Sequence, residues 1–372
     1  MIQQQASPAA DSGDYLKAFA CTAVMAQTVL SMALTVPAGR TLQTGIAGVY
    51  LAIKFTAPAF ICGIVMTTMR VSPARPHYGA YLRQQWSALG LPTLVWSLAY
   101  LLLLPQLQQH TSFHSLGQFG WQLINGNAAP HLWYNTMMLQ IIVLMPLWWA
   151  LRRGWPRHHW AIVAVTAGLL LGWLAWYNGV AVPSGQAASW YGLDRVWWGF
   201  AVYAIVGIGL ATSRTGWLRR YRWLGWALLG VGTWLAQYRQ LRTTGSPIDL
   251  DRSSYYLPAT VGYSLCVILL VVSLAKWHQA HHSRWLPIIH WLATYAYPSY
   301  LANVFWLELI WLLGGRTLTA SHPVLGVVGC YLATWCWSFA ATYGLHLLGQ
   351  RLKGMVRKWR QTRRTARNRS NW

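Results

Sequence analysis

The sequence predicts an all-α polytopic membrane bundle of about ten transmembrane helices with both termini cytoplasmic. Three observations predict it. Of the 372 residues, 55% are hydrophobic and only 9% charged, a balance that excludes an ordinary water-soluble domain. The apolar residues gather into stretches close to the ~20 that a helix needs to cross a hydrocarbon core of roughly 30 Å. The 29 Lys and Arg outnumber the 6 Asp and Glu, a formal charge of +23, and these cations gather in alternate connectors.

The opening residues 1–15 hold Asp11 and Asp14 and no basic residue. They lack the positive start of a cleaved signal, so the first apolar segment is expected to stay as an anchor. Apolar stretches separated by charged or Pro/Gly-rich breaks then give expected spans at about 16–36, 46–68, 87–105, 131–151 and 160–178 in the first half. The second half gives about 196–212, 223–238, 257–275, 288–313 and 322–348. These spans make a transmembrane domain over 16–348, between a short cytoplasmic segment, 1–15, and a basic cytoplasmic tail, 349–372.

Lys and Arg orient the bundle because they accumulate on the cytoplasmic side. Twenty-two of the 29 fall on one side: Lys17; Arg70, Arg75 and Arg83; Arg152, Arg153 and Arg157; Arg214, Arg219, Arg220 and Arg222; Lys276 and Arg284; and nine in the tail. Arg40, Arg195, Arg239, Arg242, Arg252 and Arg316 fall on the other, and Lys54 lies inside a span. The connector at about 106–130 has no Lys or Arg and fits an exterior position. The tail is expected to lie on anionic lipid, and it offers no folded reader for RNA, so no nucleic acid partner is expected. Membrane lipid is the expected surround of a multi-pass protein.

Trp148, Trp149, Trp197, Trp198, Trp285 and Trp291 sit at segment ends, where indoles form interfacial belts. Cys21, Cys62, Cys266, Cys330 and Cys336 lie in apolar runs without paired spacing or His partners, which argues against a disulfide framework and a metal site. Charges inside spans are functional candidates, here Lys54 and Glu308. They either neutralise each other across a helix interface or line a polar cavity. Gln27 and Thr28 are polar positions in the first span, and Thr28 shares a helix face with Lys17 about 16 Å away.

Several segments carry a further pattern. Asp14-Tyr15-Leu16-Lys17 precedes the first apolar run, and Pro58-Ala59-Phe60-Ile61-Cys62-Gly63 lies in the second span. Tyr81-Leu82-Arg83 leads to Leu91-Pro92, and His131-Leu132-Trp133-Tyr134 is followed by Leu144-Met145-Pro146-Leu147. Tyr297-Pro298-Ser299-Tyr300-Leu301 comes late. In this order they resemble the acyltransferase-3 family of integral membrane acyltransferases, of which this chain looks like a divergent member. It is also similar to polysaccharide-intercellular-adhesin-type membrane proteins.

The resemblance implies transfer of an acyl group, acetyl in many members, from coenzyme A on the cytoplasmic side to a hydroxyl of a cell-envelope glycan. Acyl coenzyme A is then a co-substrate and no cofactor is bound. The implied partners are the acyl donor and an envelope polysaccharide or lipid-linked saccharide, and the implied location is the cell membrane. The family's helix-one His falls on Thr28, its late His on Asn303, and its basic pair before the third-span Pro on Gln85 and Ala88. Neither Thr nor Gln can take a hydroxyl proton as imidazole does. That leaves His131 as the candidate base beside Gln27 and Thr28. Lys17, Lys54, Arg83, Trp133, Tyr134, Asn303 and Glu308 are candidate substrate contacts, with Arg70 and Arg75 further cytoplasmic candidates for phosphate. The alternative is a non-catalytic relative that binds or exports a polysaccharide, stacking sugars on Trp and Tyr and guiding them with Lys54, Glu308 and Asn303. A multi-span glycosyltransferase is weaker, because residues 37–44 hold no acidic side chain.

Overall fold

Asp11 starts the bundle. In extended conformation, it accepts the backbone N–H of Asp14 at 2.8 Å, satisfying one of the donors a helix start leaves open. The computed structural model describes residues 10–37, 39–73, 76–110, 113–212, 222–243 and 248–369. Arg75, Arg214, Arg219 and Arg220 of the expected cytoplasmic set, and most of the segment before Asp11, lie outside the described residues.

Fifteen α-helices and several short 3-10 or π turns make up the described chain, with no strand among the described residues. They are α1 (Ser12–Ala33), α2 (Arg40–Ala52), α3 (Thr56–Val71), α4 (Tyr78–Gln85), α5 (Leu91–Leu103), α6 (Leu116–Ile124), α7 (Trp133–Val143) and α8 (Met145–Trp176). There follow α9 (Gln186–Ser189), α10 (Ala201–Thr212), α11 (Arg222–Arg242), α12 (Pro258–Ala280), α13 (Leu286–Ile310), α14 (Arg316–Ser321) and α15 (Pro323–Arg369). Among the described residues, seven helical runs are long and apolar enough to cross a membrane. They are Ser12–Ala33, Arg40–Val71, Tyr78–Leu103, Met145–Ala181, Tyr191–Thr212, Pro258–Ala280 and Pro323–Met355. The other expected spans are helical as well, in α7, α11 and α13. The chain is thus an all-α polytopic bundle.

Three local expectations change. The second span is two helices, α2 and α3, separated at 53–55, with Lys54 in the break. The connector expected near residues 152–159 is helical within α8, which bends at His158 (φ −127°) two residues after Pro156, where the ring removes a donor and crowds the preceding turn. The basic tail is helical, continuing α15 to Arg369. Trp148 and Trp149 are buried, not belt residues: their indole N–H groups donate to the Ile141 carbonyl at 3.0 Å and to Ser72 Oγ at 3.1 Å. Trp198, Trp285 and Trp291 are exposed, as a belt requires.

α1 is the central post, packed along α3, α12, α13 and α15, while α10 lies against α3 and α8. The α3–α10 approach depends on Gly207. A Cβ there would sit 2.7 Å from the Cys62 carbonyl oxygen and 3.2 Å from the Met66 nitrogen, so only glycine lets the two backbones come this close. All five cysteines are free, Cys336 exposed and the others buried.

Candidate active site

The far half of α1, the α2–α3 break, the start of α7, residues 250–256 ahead of α12 and the far half of α13 enclose a cavity of about 700 Å³. Leu107, Gln109, His110, Asn127, Asp194 and Arg195 complete its walls. It lies at the end of the bundle opposite the N-terminus of α1.

Lys54 reaches the cavity because the chain leaves helical geometry there. Lys54 is 6% exposed, and its ammonium donates to Ser253 Oγ at 2.9 Å and faces the rings of Tyr50 and Tyr255 at 5.0 and 4.9 Å. Ring faces and a hydroxyl stabilise a cation that burial would otherwise penalise. Glu308 lines the same cavity.

Gln27 and Thr28 lie on the lining face of α1. Gln27 Oε1 accepts from Thr56 Oγ1 at 3.0 Å, and Gln27 Nε2 is buried with no hydrogen-bond partner among the described residues. Thr28 Oγ1 is 2.8 Å from the Met25 carbonyl oxygen and 3.2 Å from Asn303 Oδ1. The two positions on which the family resemblance places histidines thus touch each other, and both carry neutral side chains. Asn303 is fully buried behind the cavity wall, with its amide donating to the Tyr300 carbonyl.

His131 sits against the same turn of α13. Tyr300 hydroxyl donates to the His131 carbonyl, and the imidazole stands edge-on between the rings of Tyr100 and Tyr300 at 5.2 and 5.3 Å. The ring is 4% exposed; Nε2 is 3.4 Å from the Leu301 carbonyl oxygen, and Nδ1 is buried with no hydrogen-bond partner among the described residues. A carbonyl can only accept, so it selects the tautomer protonated on Nε2 and leaves the Nδ1 lone pair as a base. Trp133 packs against Tyr255 at 5.5 Å, and Tyr134 against Phe60 at 5.4 Å. Both line the cavity.

Sequence reasoning missed the clamp that closes this site. Arg195, buried, pairs with Asp194 at 2.6 Å and donates from Nη1 to the Asn125 carbonyl at 2.9 Å and to Asn127 Oδ1 at 2.7 Å. Tyr191 hydroxyl accepts from Trp121 Nε1 at 3.0 Å and Asn125 Nδ2 at 3.1 Å, and its ring stacks on His110 at 4.5 Å. The connector without Lys or Arg is therefore held by an arginine from another connector. Partial desolvation, aided by the Arg195 charge, lowers the His110 pKa from its ordinary 6.5. In sequence Arg195 reads as one more non-cytoplasmic cation, and no spacing links it to Asn125.

Two predicted contacts lie elsewhere. Lys17, on α1 at the opposite end of the bundle, pairs with Asp14 at 2.9 Å, and Arg83 is exposed on α4. Neither lines the cavity: Lys17 is at the other end of α1, and no residue of α4 reaches it. Among the described residues no group of three or more His, Cys, Asp or Glu could hold a metal ion. A family model described as an acyltransferase domain matches residues 11–343. No curated protein and no solved structure matches the chain.

Proposed function

The chain belongs to the acyltransferase-3 family, and from that premise we propose that it transfers an acyl group, acetyl by the family resemblance, from coenzyme A to a cell-envelope glycan hydroxyl held in the cavity. The observation that carries this reading is the unpartnered Nδ1 of buried His131 in the cavity wall. Nδ1 takes the hydroxyl proton as the oxygen bonds to the thioester carbon. Gln27 Nε2 and the Lys54 ammonium are the donors on hand for the oxyanion, and the proton then passes to the departing thiolate. A cavity of about 700 Å³ falls within the usual range for small-molecule sites. The rings of Trp133, Tyr177 and Tyr255 supply faces on which a sugar can stack.

In this reading the donor enters from the cytoplasmic face of the cell membrane, and its phosphates meet Lys17 and Arg70 near the start of α1. Lys17 and Thr28 are about 16 Å apart along the helix, so the donor extends from one end of the bundle toward the cavity. Arg83, exposed on α4, is an outer contact for the same phosphates.

The hydrogen-bonded Thr28–Asn303 pair favours a second reading, a non-catalytic relative that binds or exports a polysaccharide, since two imidazoles are replaced together. One experiment separates them. Purified protein is given radiolabelled acetyl coenzyme A with a membrane glycan fraction, beside a His131→Gln variant. Acyl transfer predicts labelled glycan, reduced about 10²–10⁴-fold in the variant, the usual contribution of a general base. No labelled glycan and no donor binding by the unaltered protein would refute acyl transfer.

A further inference from the structure

At the end of the bundle opposite the cavity, where α1 and α13 begin and α12 ends, titratable side chains from four helices meet. Asp14 accepts from Lys17 Nζ at 2.9 Å and from His290 Nδ1 at 2.8 Å, one on each carboxylate oxygen. Asp11 pairs with Arg70 at 3.1 Å, and Lys276 of α12 lies within electrostatic reach of Arg70. His278 is engaged separately, its Nδ1 2.5 Å from the Tyr15 hydroxyl.

Asp14 and His290 are 276 positions apart in the chain, yet they form an oriented pair. The carboxylate accepts the Nδ1 proton, which leaves Nε2 as the basic nitrogen, and no described residue hydrogen-bonds to Nε2. His290 is 30% exposed while Asp14 is 13% exposed, so the imidazole is open to solvent and its carboxylate is shielded. Asp14 is itself held by the Asp11 cap and by Lys17. Other bonds tie the start of α1 to its neighbours: Asp11–Arg70 joins it to α3, and Gln279 Nε2 of α12 donates to the Ala10 carbonyl at 2.8 Å.

We propose that His290, positioned by Asp14, is a second acyl-transfer centre, a base that activates water against an acyl thioester reaching this end of the bundle from solvent. Nε2 takes a proton from water, and the oxygen bonds to the thioester carbonyl carbon. The tetrahedral intermediate collapses with cleavage of the C–S bond, and the imidazolium returns its proton to the thiolate. The products are a carboxylic acid, which ionises in water, and the free thiol. His290 and Tyr300 are ten residues apart on α13, about 15 Å, so His131 does not serve this carbon. The inference rests on the proposed function only for the thioester donor; glycan and cavity play no part in it.

The test uses the full chain in detergent micelles with acetyl coenzyme A and no glycan, following released thiol with a thiol-reactive dye. Release is expected from the unaltered protein, with kcat reduced about 100-fold in His290→Gln and KM changed less than threefold. Asp14→Asn is expected to lower kcat in the same direction, and His281→Gln, on the exposed turn after α12, to leave release unchanged. Added imidazole is expected to restore release by His290→Ala, a recovery that a purely structural role does not allow. No release by the unaltered protein, equal release by His290→Gln, or loss in His290→Ala without recovery overturns the proposal. Hydrolysis that persists while glycan labelling fails would strike the acceptor reading and leave this one standing.

Discussion

Replacing Arg195 with Met tests whether one side chain holds the cavity wall. The guanidinium donates to two acceptors in the facing connector, the Asn125 carbonyl and Asn127 Oδ1, and both residues are buried. Hydrogen bonds from a charged donor contribute about 1.5–3 kcal/mol each, so the two together reach about 3–6 kcal/mol. The Asp194 side chain is 45% exposed, and that ion pair adds little through solvent screening. Water entering through the cavity also reaches the freed acceptors, which places the expected loss near the lower bound, about 3 kcal/mol. At about 1.4 kcal/mol per tenfold, local opening of the connector becomes roughly 100-fold more frequent. Hydrogen exchange at the amides of residues 119–127 reads this directly, with α12 amides as the internal reference. Acceleration below tenfold, or equal acceleration throughout the bundle, would refute the clamp.

The His110 pKa lies below its ordinary 6.5, so the unfolded chain binds the proton more readily. Stability from this group is present above that value and lost as pH falls through it toward the lowered folded pKa; the opening of residues 113–127, read as exchange divided by the intrinsic amide rate at each pH, is expected to become more frequent below about pH 6.5 and to lose this dependence in His110→Phe. Gly207→Ala forces a Cβ to 2.7 Å from the Cys62 carbonyl oxygen and is expected to destabilise the α3–α10 packing by about 1–3 kcal/mol, read as a lower Tm in detergent. Thr28→His places an imidazole beside Asn303 at the cavity and is expected to raise glycan labelling; unchanged labelling would show that position 28 no longer faces the reacting atoms.

Much of the site was readable residue by residue. Gln27, Thr28, Lys54, His131, Trp133, Tyr134 and Glu308 all line one cavity, as charges inside apolar spans and the His-Leu-Trp-Tyr motif suggested. Asn303 stands behind the wall, fully buried, with its amide used within its own helix turn. Lys17 was expected at a mouth about 16 Å along the helix from Thr28, and it stands at the end of the bundle opposite the cavity, on Asp14. The Arg195 clamp and the Asp14–His290 pair were not readable at all. Each joins residues far apart in the chain, and no local pattern records which loop or helix end faces which.

The amino-acid sequence by itself determined that the chain is helical and membrane-spanning, since apolar stretch length answers to bilayer thickness and polar backbone must be satisfied within each segment. Its ordered motifs also carry the family. Only the tertiary structure decided that the two positions matched to family histidines touch as a neutral pair, that His131 rests on the same turn with one nitrogen unused, and that a second imidazole meets a carboxylate at the opposite end. The physical reason is that side chains become neighbours through how helices pack and turn about one another, a long-range outcome that hydropathy and spacing along one helix do not contain.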